Sequence, residues 1–243
     1  MAHIKKLSPK WIDGFPINSL YVRGERGSVL VDTGVSGKAG ELLDLLIREG
    51  IELKEIKAIF ITHVHLDHAG GISKIVKSMD GVSVAVHKEG AELLQKGSSS
   101  SMRPAGFIGW TVRPFAWMMG PLVRTGSKFP PCNPDVVIED ETDLDRWGVE
   151  GGKIIFTPGH TPESISLIVP EDGSWSAIVG DLFIGSFLHP GKPREHFILH
   201  DRHKARESIR RLLQWEPQIQ TFYTGHFGPF SRPSLLQEFK HFL

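Results

Sequence analysis

In the segment THVHLDHAGG, His63, His65, Asp67 and His68 place four metal-ligating side chains within six residues. Residues two apart on an extended or looped backbone point the same way, so His63 and His65 present both imidazoles to one side. Asp67 and His68 follow at once, in a turn leading to the next helix. Neutral imidazole and carboxylate suit zinc, iron or manganese, and crowding such groups together without a cation is costly. The competing description, a run of solvated surface histidines, has no need of this convergence. Three more donors stand just after predicted strands: His160 in TPGHTP, Asp181 in VGDLF and His226 in YTGHFGP. Strand ends on one edge of a sheet meet in space, so these separated positions can join the cluster.

The elements that must carry these residues are legible as alternating strands and helices. Short β-branched runs at Ile17 to Val22 and Ser28 to Val31 are broken by GERG, which predicts two strands and a turn. Helical spacing of leucines from Lys38 to Glu49 stops at Gly50. A strand from Ala58 to Ile61 then leads into the histidine motif, followed by a helix over Ile72 to Met79 and a strand over Val82 to Val86. The second half repeats the theme, with strands at Lys153 to Phe156, Ile165 to Val169, Ala177 to Val179 and Thr221 to Tyr223. Helices are predicted over Arg202 to Leu213 and from Ser234 onward. Two strand-rich halves with outer helices imply two sheets packed face to face under helices.

The chain of 243 residues is read as one domain over 1–243 with an aromatic-rich insertion at about 97–134. That insertion carries Phe107, Trp110, Phe115, Trp117 and Phe129 but is interrupted by Arg103, Arg113 and Arg124, so it is too short in apolar run for a transmembrane segment. Its expected use is as a cover over a site, a homodimer contact or a membrane-surface contact. Lys plus Arg and Asp plus Glu balance at 28 each, so no global field favours nucleic acid. A lone Cys132 excludes an intramolecular disulfide, and the start MAHIKKLSPKW lacks an apolar secretory core, so the expected location is cytoplasmic.

With the upstream Asp32 in VDTG, the ordered set of H-x-H-x-D-H, His, Asp and His resembles the metallo-β-lactamase superfamily, in its glyoxalase II-like and lactonase-like branch. The resemblance runs from about residue 17 to residue 230 and implies an α+β fold, an αββα four-layer sandwich of two mixed β-sheets flanked by helices. Carried over, His63, His65 and His160 would hold one metal, Asp67, His68 and His226 a second, and Asp181 would bridge them. The implied cofactors are two divalent ions, zinc first, with iron or manganese as alternatives. Asp32 matches an aspartate that orients a ligand imidazole rather than binding metal itself.

The implied activity is that of a metallohydrolase in which a hydroxide activated by two metals attacks an ester, thioester, lactone or related bond of a small molecule. Asp67 and Asp181 are the candidate catalytic carboxylates, and no general acid is evident. Phe107, Trp110, His189 and Tyr223 are candidate substrate contacts, the aromatics suggesting an apolar acyl group. For Tyr223 and for the aromatics, packing is the competing role. His196, His200 and His203 share the loop after Asp181 with His189. An alternative chemistry is an oxidoreductase resembling the persulfide dioxygenases, with one iron; a third is a non-catalytic metal-binding protein. The length leaves no room for the extra helical domain of glyoxalase II enzymes or for a flavodoxin-like half.

Overall fold

Side chains along the central strands are buried on both faces, and that double burial sets the layers. The computed structural model describes residues 1–9, 16–101, 128–186 and 188–243. One sheet holds, in spatial order, β1 (His3–Leu7), β2 (Ser19–Arg23), β3 (Ser28–Val31), β4 (Ile56–Ile61), β5 (Ser83–His87) and β6 (Val136–Ile138). Its first three strands are antiparallel and β3 to β6 run parallel. The other sheet contains β7 (Thr142–Asp143), β8 (Lys153–Phe156), β9 (Ile165–Glu171) and β10 (Ser174–Ile178). After a small hairpin of β11 (Phe183–Gly185) and β12 (Pro193–Glu195), it is completed by β13 (Ile219–Tyr223) and β14 (Phe230–Ser231). Here β13 pairs parallel with β10, and the remaining pairs are antiparallel.

Strand alternation assigns each side chain to a layer. Val29, Val31, Ala58 and Phe60 meet Ile154, Ile165, Leu167 and Val169 between the sheets. Leu30, Ile59, Ile61 and Val84 face the other way, onto the helices α1 (Ala39–Arg48), α2 (Leu66–Ala69), α3 (Ile72–Val76) and α4 (Lys88–Gln95). On the far side, Ile155, Ile168 and Phe222 pack against α5 (Arg202–Leu213) and α6 (Arg232–Phe239). The chain therefore has the αββα arrangement expected from its sequence, with mixed sheets and outer helices.

The helices start and stop for local reasons. Asp201 caps α5 by accepting from the Lys204 N–H at 3.1 Å, and Arg210 and Arg211 occupy its last turn, where the helix dipole favours cations. In α1, Glu41 lies in the first turn and Arg48 in the last, and Gly50 follows with φ 71°. The predicted helix over Ile72 to Met79 is shorter, ending at Val76. Several elements were not anticipated, among them the short strands β6, β7, β11, β12 and β14. The N-terminal segment, read only for its lack of a secretory core, forms edge strand β1, and α4 begins directly after β5 with His87 as its N-cap. Of the expected insertion, residues 97–101 and 128–134 are described, and Phe107, Trp110 and their neighbours lie outside the described residues. No helix among the described residues is long and apolar enough to cross a membrane.

Candidate metal centre

Most donors picked out from the sequence follow strands, while Asp67 and His68 lie in α2, entered from β4 through His63 and His65. Asp32 follows β3, His63 and His65 follow β4, His160 follows β8, Asp181 follows β10 and His226 follows β13. Hydrogen bonds tie the two sheets together at this edge: Ile165 N–H donates to Thr62 O at 2.9 Å and Asn18 N–H to Gly225 O at 2.8 Å. The result is one buried cluster, in which His63, His65, His68, His160, Asp181 and His226 are each at most 4% exposed. Three overlapping groups of potential ligand atoms form within it: His63, His65 and His160; His63, His68 and Asp181; and Asp67, His68 and His226.

The backbone around the cluster is shaped to leave room. A Cβ on Gly225 would sit 2.3 Å from His68 Cε1 and 2.4 Å from Asp181 Oδ1, so only glycine lets this strand end pass the centre. Asp32 itself adopts φ 61°, an uncommon value for a residue other than glycine, though one that Asp and Asn tolerate. That turn directs its carboxylate inward, where Oδ1 accepts from the Thr62 N–H and Oδ2 from the Thr62 hydroxyl, each at 2.8 Å.

These bonds decide which imidazole nitrogen faces the centre. His68 Nδ1–H donates to Asp32 Oδ2 at 2.8 Å, leaving Nε2 for the cluster. The Thr62 hydroxyl proton is spent on Asp32, so Thr62 Oγ1 accepts from His63 Nδ1–H at 3.1 Å, again leaving Nε2 inward. His160 Nδ1–H donates to Ile198 O and His226 Nδ1–H to Pro16 O, both at 2.8 Å. Asp32 thus sets two of the clustered histidines, one directly and one through Thr62.

What these nitrogens meet is other electron-rich atoms. His65 Nδ1 lies 3.1 Å from His63 Nε2 and 3.0 Å from His160 Nε2. Asp181 Oδ2 lies 3.4 Å from His68 Nε2, 3.8 Å from His160 Nε2 and 3.3 Å from His226 Nε2. Among the described residues, His65 Nε2, His68 Nε2 and Asp181 Oδ1 are buried without a hydrogen-bond partner. Buried polar atoms without partners, among donors that converge from four chain segments, are the mark of a site built for cations, and imidazole with carboxylate is a donor set that divalent metals accept.

Electrostatics divide the cluster into two halves. Burial, helped by neighbouring imidazoles, holds His63 and His160 well below the usual histidine range and brings His65 down to about 4. Burial would also lower His226, but the charges of Asp181 and Asp67 outweigh it and push the group up to about 10. His68 is raised in the same way against burial, by Asp181 and Asp32. Asp67, for its part, is held below the usual carboxylate range because its contact with His226 and the charge of His68 overcome the cost of burial.

Substituting Asp32 by Asn keeps the size and tolerates the positive φ, but places an amide N–H where a carboxylate oxygen accepts. His68 must then turn its proton inward. We expect metal affinity to weaken about 10–100-fold, the usual cost of losing such an outer partner, measured by competition with a chelator. Wild-type affinity in this variant would show that the tautomer is set elsewhere.

The other expected contacts are distributed unevenly. Tyr223 turns into the layer between the sheets, where its hydroxyl donates to Glu171 at 3.3 Å, away from the ligand atoms. His189, His200 and His203 are exposed. His196 is 5% exposed, with Nε2 3.5 Å from Asp181 Oδ2. Glu163, which sequence reasoning did not single out, is 2% exposed and accepts from the Val64 N–H at 3.2 Å, between the two motif histidines. Ser100 completes that contact: its N–H donates to Val64 O at 2.7 Å and its hydroxyl donates to Glu163. The described ends of the insertion meet at the same place, through a bridge between Ser98 and Lys128.

Fold and cluster together define a metal-centred αββα protein. Over residues 12–226 the chain matches the family described as the metallo-beta-lactamase superfamily, and it belongs to that family. It is 30% identical over 219 residues to the probable metallo-hydrolase YflN of Bacillus subtilis, covering 84% of this chain and 76% of that protein. A bovine relative named acyl-coenzyme A thioesterase MBLAC2 is 28% identical over 167 residues, covering 62% of this chain and 53% of the relative. Among solved structures, a metallo-beta-lactamase of Cronobacter sakazakii superposes with a TM-score of 0.61 at 23% identity, covering 90% of this chain and 80% of that one, a likeness of fold.

Proposed function

We propose that the chain is a hydrolase that uses two divalent metals to cleave esters or thioesters of a small molecule, with an acyl thioester as the first substrate class to test. The observation carrying this reading is the convergence of His63, His65, His160, Asp67, His68, His226 and Asp181 around overlapping ligand groups. His63, His65 and His160 would hold one ion, Asp67, His68 and His226 the other, with Asp181 between them. Bound there, the metals would lower the pKa of a water towards neutrality and polarise the carbonyl under attack. Zinc is the metal this reading expects.

The chain's own residues supply the geometry. Asp67 is the ligand carboxylate with the most exposed side chain, at 18%, so it lies on the solvent side of the cluster. Its position suits it to orient an incoming water by accepting a hydrogen bond. Asp32, Ile198 and Pro16 hold the ring orientations, so the ligand atoms need little rearrangement when the reaction begins. The thioester preference draws on the name of the bovine relative and on the aromatic composition of 97–134.

Zinc-loaded protein should hydrolyse acyl-coenzyme A or simpler thioesters and esters, lose that activity to a chelator, and regain it when zinc is restored. A metal analysis near two zincs per chain should accompany it. One iron per chain, with oxygen consumed in the presence of a persulfide, would replace this reading by the dioxygenase one. Inertness towards esters, thioesters, lactones, phosphodiesters and persulfides in fully metal-loaded protein would reject catalysis altogether.

A further inference from the structure

His196 is the histidine near the centre whose hydrogen bonding runs opposite to that of the ligands. It follows β12, stacks on Phe197 at 4.9 Å and meets the His160 ring edge at 4.5 Å. Its Nδ1 lies 3.0 Å from the Ile198 N–H, which points at it as a donor. A backbone N–H can only donate, so Nδ1 must offer a lone pair. The Ile198 carbonyl, 2.9 Å from the same nitrogen, already receives His160 Nδ1–H at 2.8 Å. One residue, Ile198, therefore sets two rings in opposite senses: its carbonyl oxygen turns the bare Nε2 of His160 inward, and its backbone N–H turns the protonated Nε2 of His196 inward.

The inward Nε2 lies 3.5 Å from Asp181 Oδ2. Asp181 is the acid between the two ligand groups, and a carboxylate in that place must keep each oxygen directed. We infer that His196 is a positioning residue, an N–H donor that fixes the orientation of the Asp181 carboxylate, and not an eighth ligand. The inference rests on the two-metal reading of the cluster. It requires no change of protonation at His196, since the donor is already in place. His196 also lies outside all three groups of ligand atoms, consistent with a donor rather than a ligand.

The test compares two substitutions in the full chain loaded with cobalt or zinc. His196→Phe keeps a ring for Phe197 and His160 but removes the donor, whereas His196→Gln keeps an N–H near the same position. The expected result is metal affinity about 10–100-fold weaker in His196→Phe, with an altered cobalt visible spectrum, and recovery to within a few-fold in His196→Gln. Equal affinity in wild type and His196→Phe would overturn the inference. So would equal impairment of both variants at unchanged melting temperature, or the loss of one bound metal together with the loss of a histidine signature from the cobalt spectrum, which would make His196 a ligand. These readouts need no substrate, so a protein that binds two metals yet hydrolyses nothing would defeat the hydrolase reading and leave this one standing. Wild-type protein that takes up no divalent ion would overturn both.

Discussion

Replacing Asp181 by Ala should empty the centre more completely than any other single change, leaving less than one metal per chain and no measurable hydrolysis. The reason is position. Asp181 Oδ2 is within 3.8 Å of the Nε2 atoms of His68, His160 and His226, so its loss removes a donor from both halves at once. Loss of an outer hydrogen-bond partner costs about 10–100-fold in affinity, and loss of Asp181, the proposed shared ligand, should exceed that range. Asp181→Asn should be nearly as damaging, because it preserves volume but not charge. Removing one member of a buried ion pair commonly costs about 3–5 kcal/mol. Here the metal-free variant has a cheaper response, which is for His226 to give up its proton and fall back from about 10. Metal-free Asp181→Ala should therefore still fold, as seen by circular dichroism, while elemental analysis shows the metals missing. Two metals bound by the variant would sink the assignment of Asp181.

Metal uptake should release protons, and the two halves of the cluster should differ in how many. In the metal-free protein at pH 7, His63, His65 and His160 are already deprotonated, because burial lowers all three and takes His65 to about 4. His226, at about 10, and His68, also raised, hold protons that a metal must displace. Affinity at the Asp67, His68 and His226 group should then rise by up to about tenfold per pH unit for each proton displaced, while the other group stays nearly flat above pH 5. Calorimetric titration in buffers of different ionisation enthalpy should report about two protons released at pH 7 by these histidines. The sign for stability is opposite. A histidine with a raised folded pKa stabilises fully below its ordinary value of 6.5, and that contribution is lost as pH climbs through about 10. The metal-free protein should thus melt at lower temperature from pH 7 to 10, while the metal-loaded protein should not. Proton release near zero at both groups would contradict this account.

The candidate ligand positions were legible because His160, Asp181 and His226 each follow a strand whose own pattern is clear, and because His63, His65, Asp67 and His68 are close in sequence. The same clarity placed β3, β8 and α5 at their observed bounds. Other features depend on pairings that no local pattern carries. β1 is an edge strand with Lys5 and Lys6 in it, and its identity comes from its register with β2. Tyr223 stands close to His226 in sequence, yet strand alternation turns its ring towards Glu171. Glu163 acquires its meaning only from Val64 and Ser100, and His196 only from the backbone of Ile198. Among histidines of one loop, composition could not distinguish the buried His196 from the exposed His189.

The bridge between Ser98 and Lys128 has a consequence for how such a protein can change over generations. Because the chain leaves and returns at adjoining points, residues between 101 and 127 can be exchanged or lengthened without shifting the register of either sheet. Doubling the length of a loop with fixed ends costs only about 0.6 kcal/mol. One of those ends also holds Val64: the Ser100 N–H donates to the Val64 carbonyl, while the Val64 N–H donates to Glu163, which Ser100 also contacts. Selection can therefore rewrite the intervening sequence while the backbone of Val64, between His63 and His65, stays held.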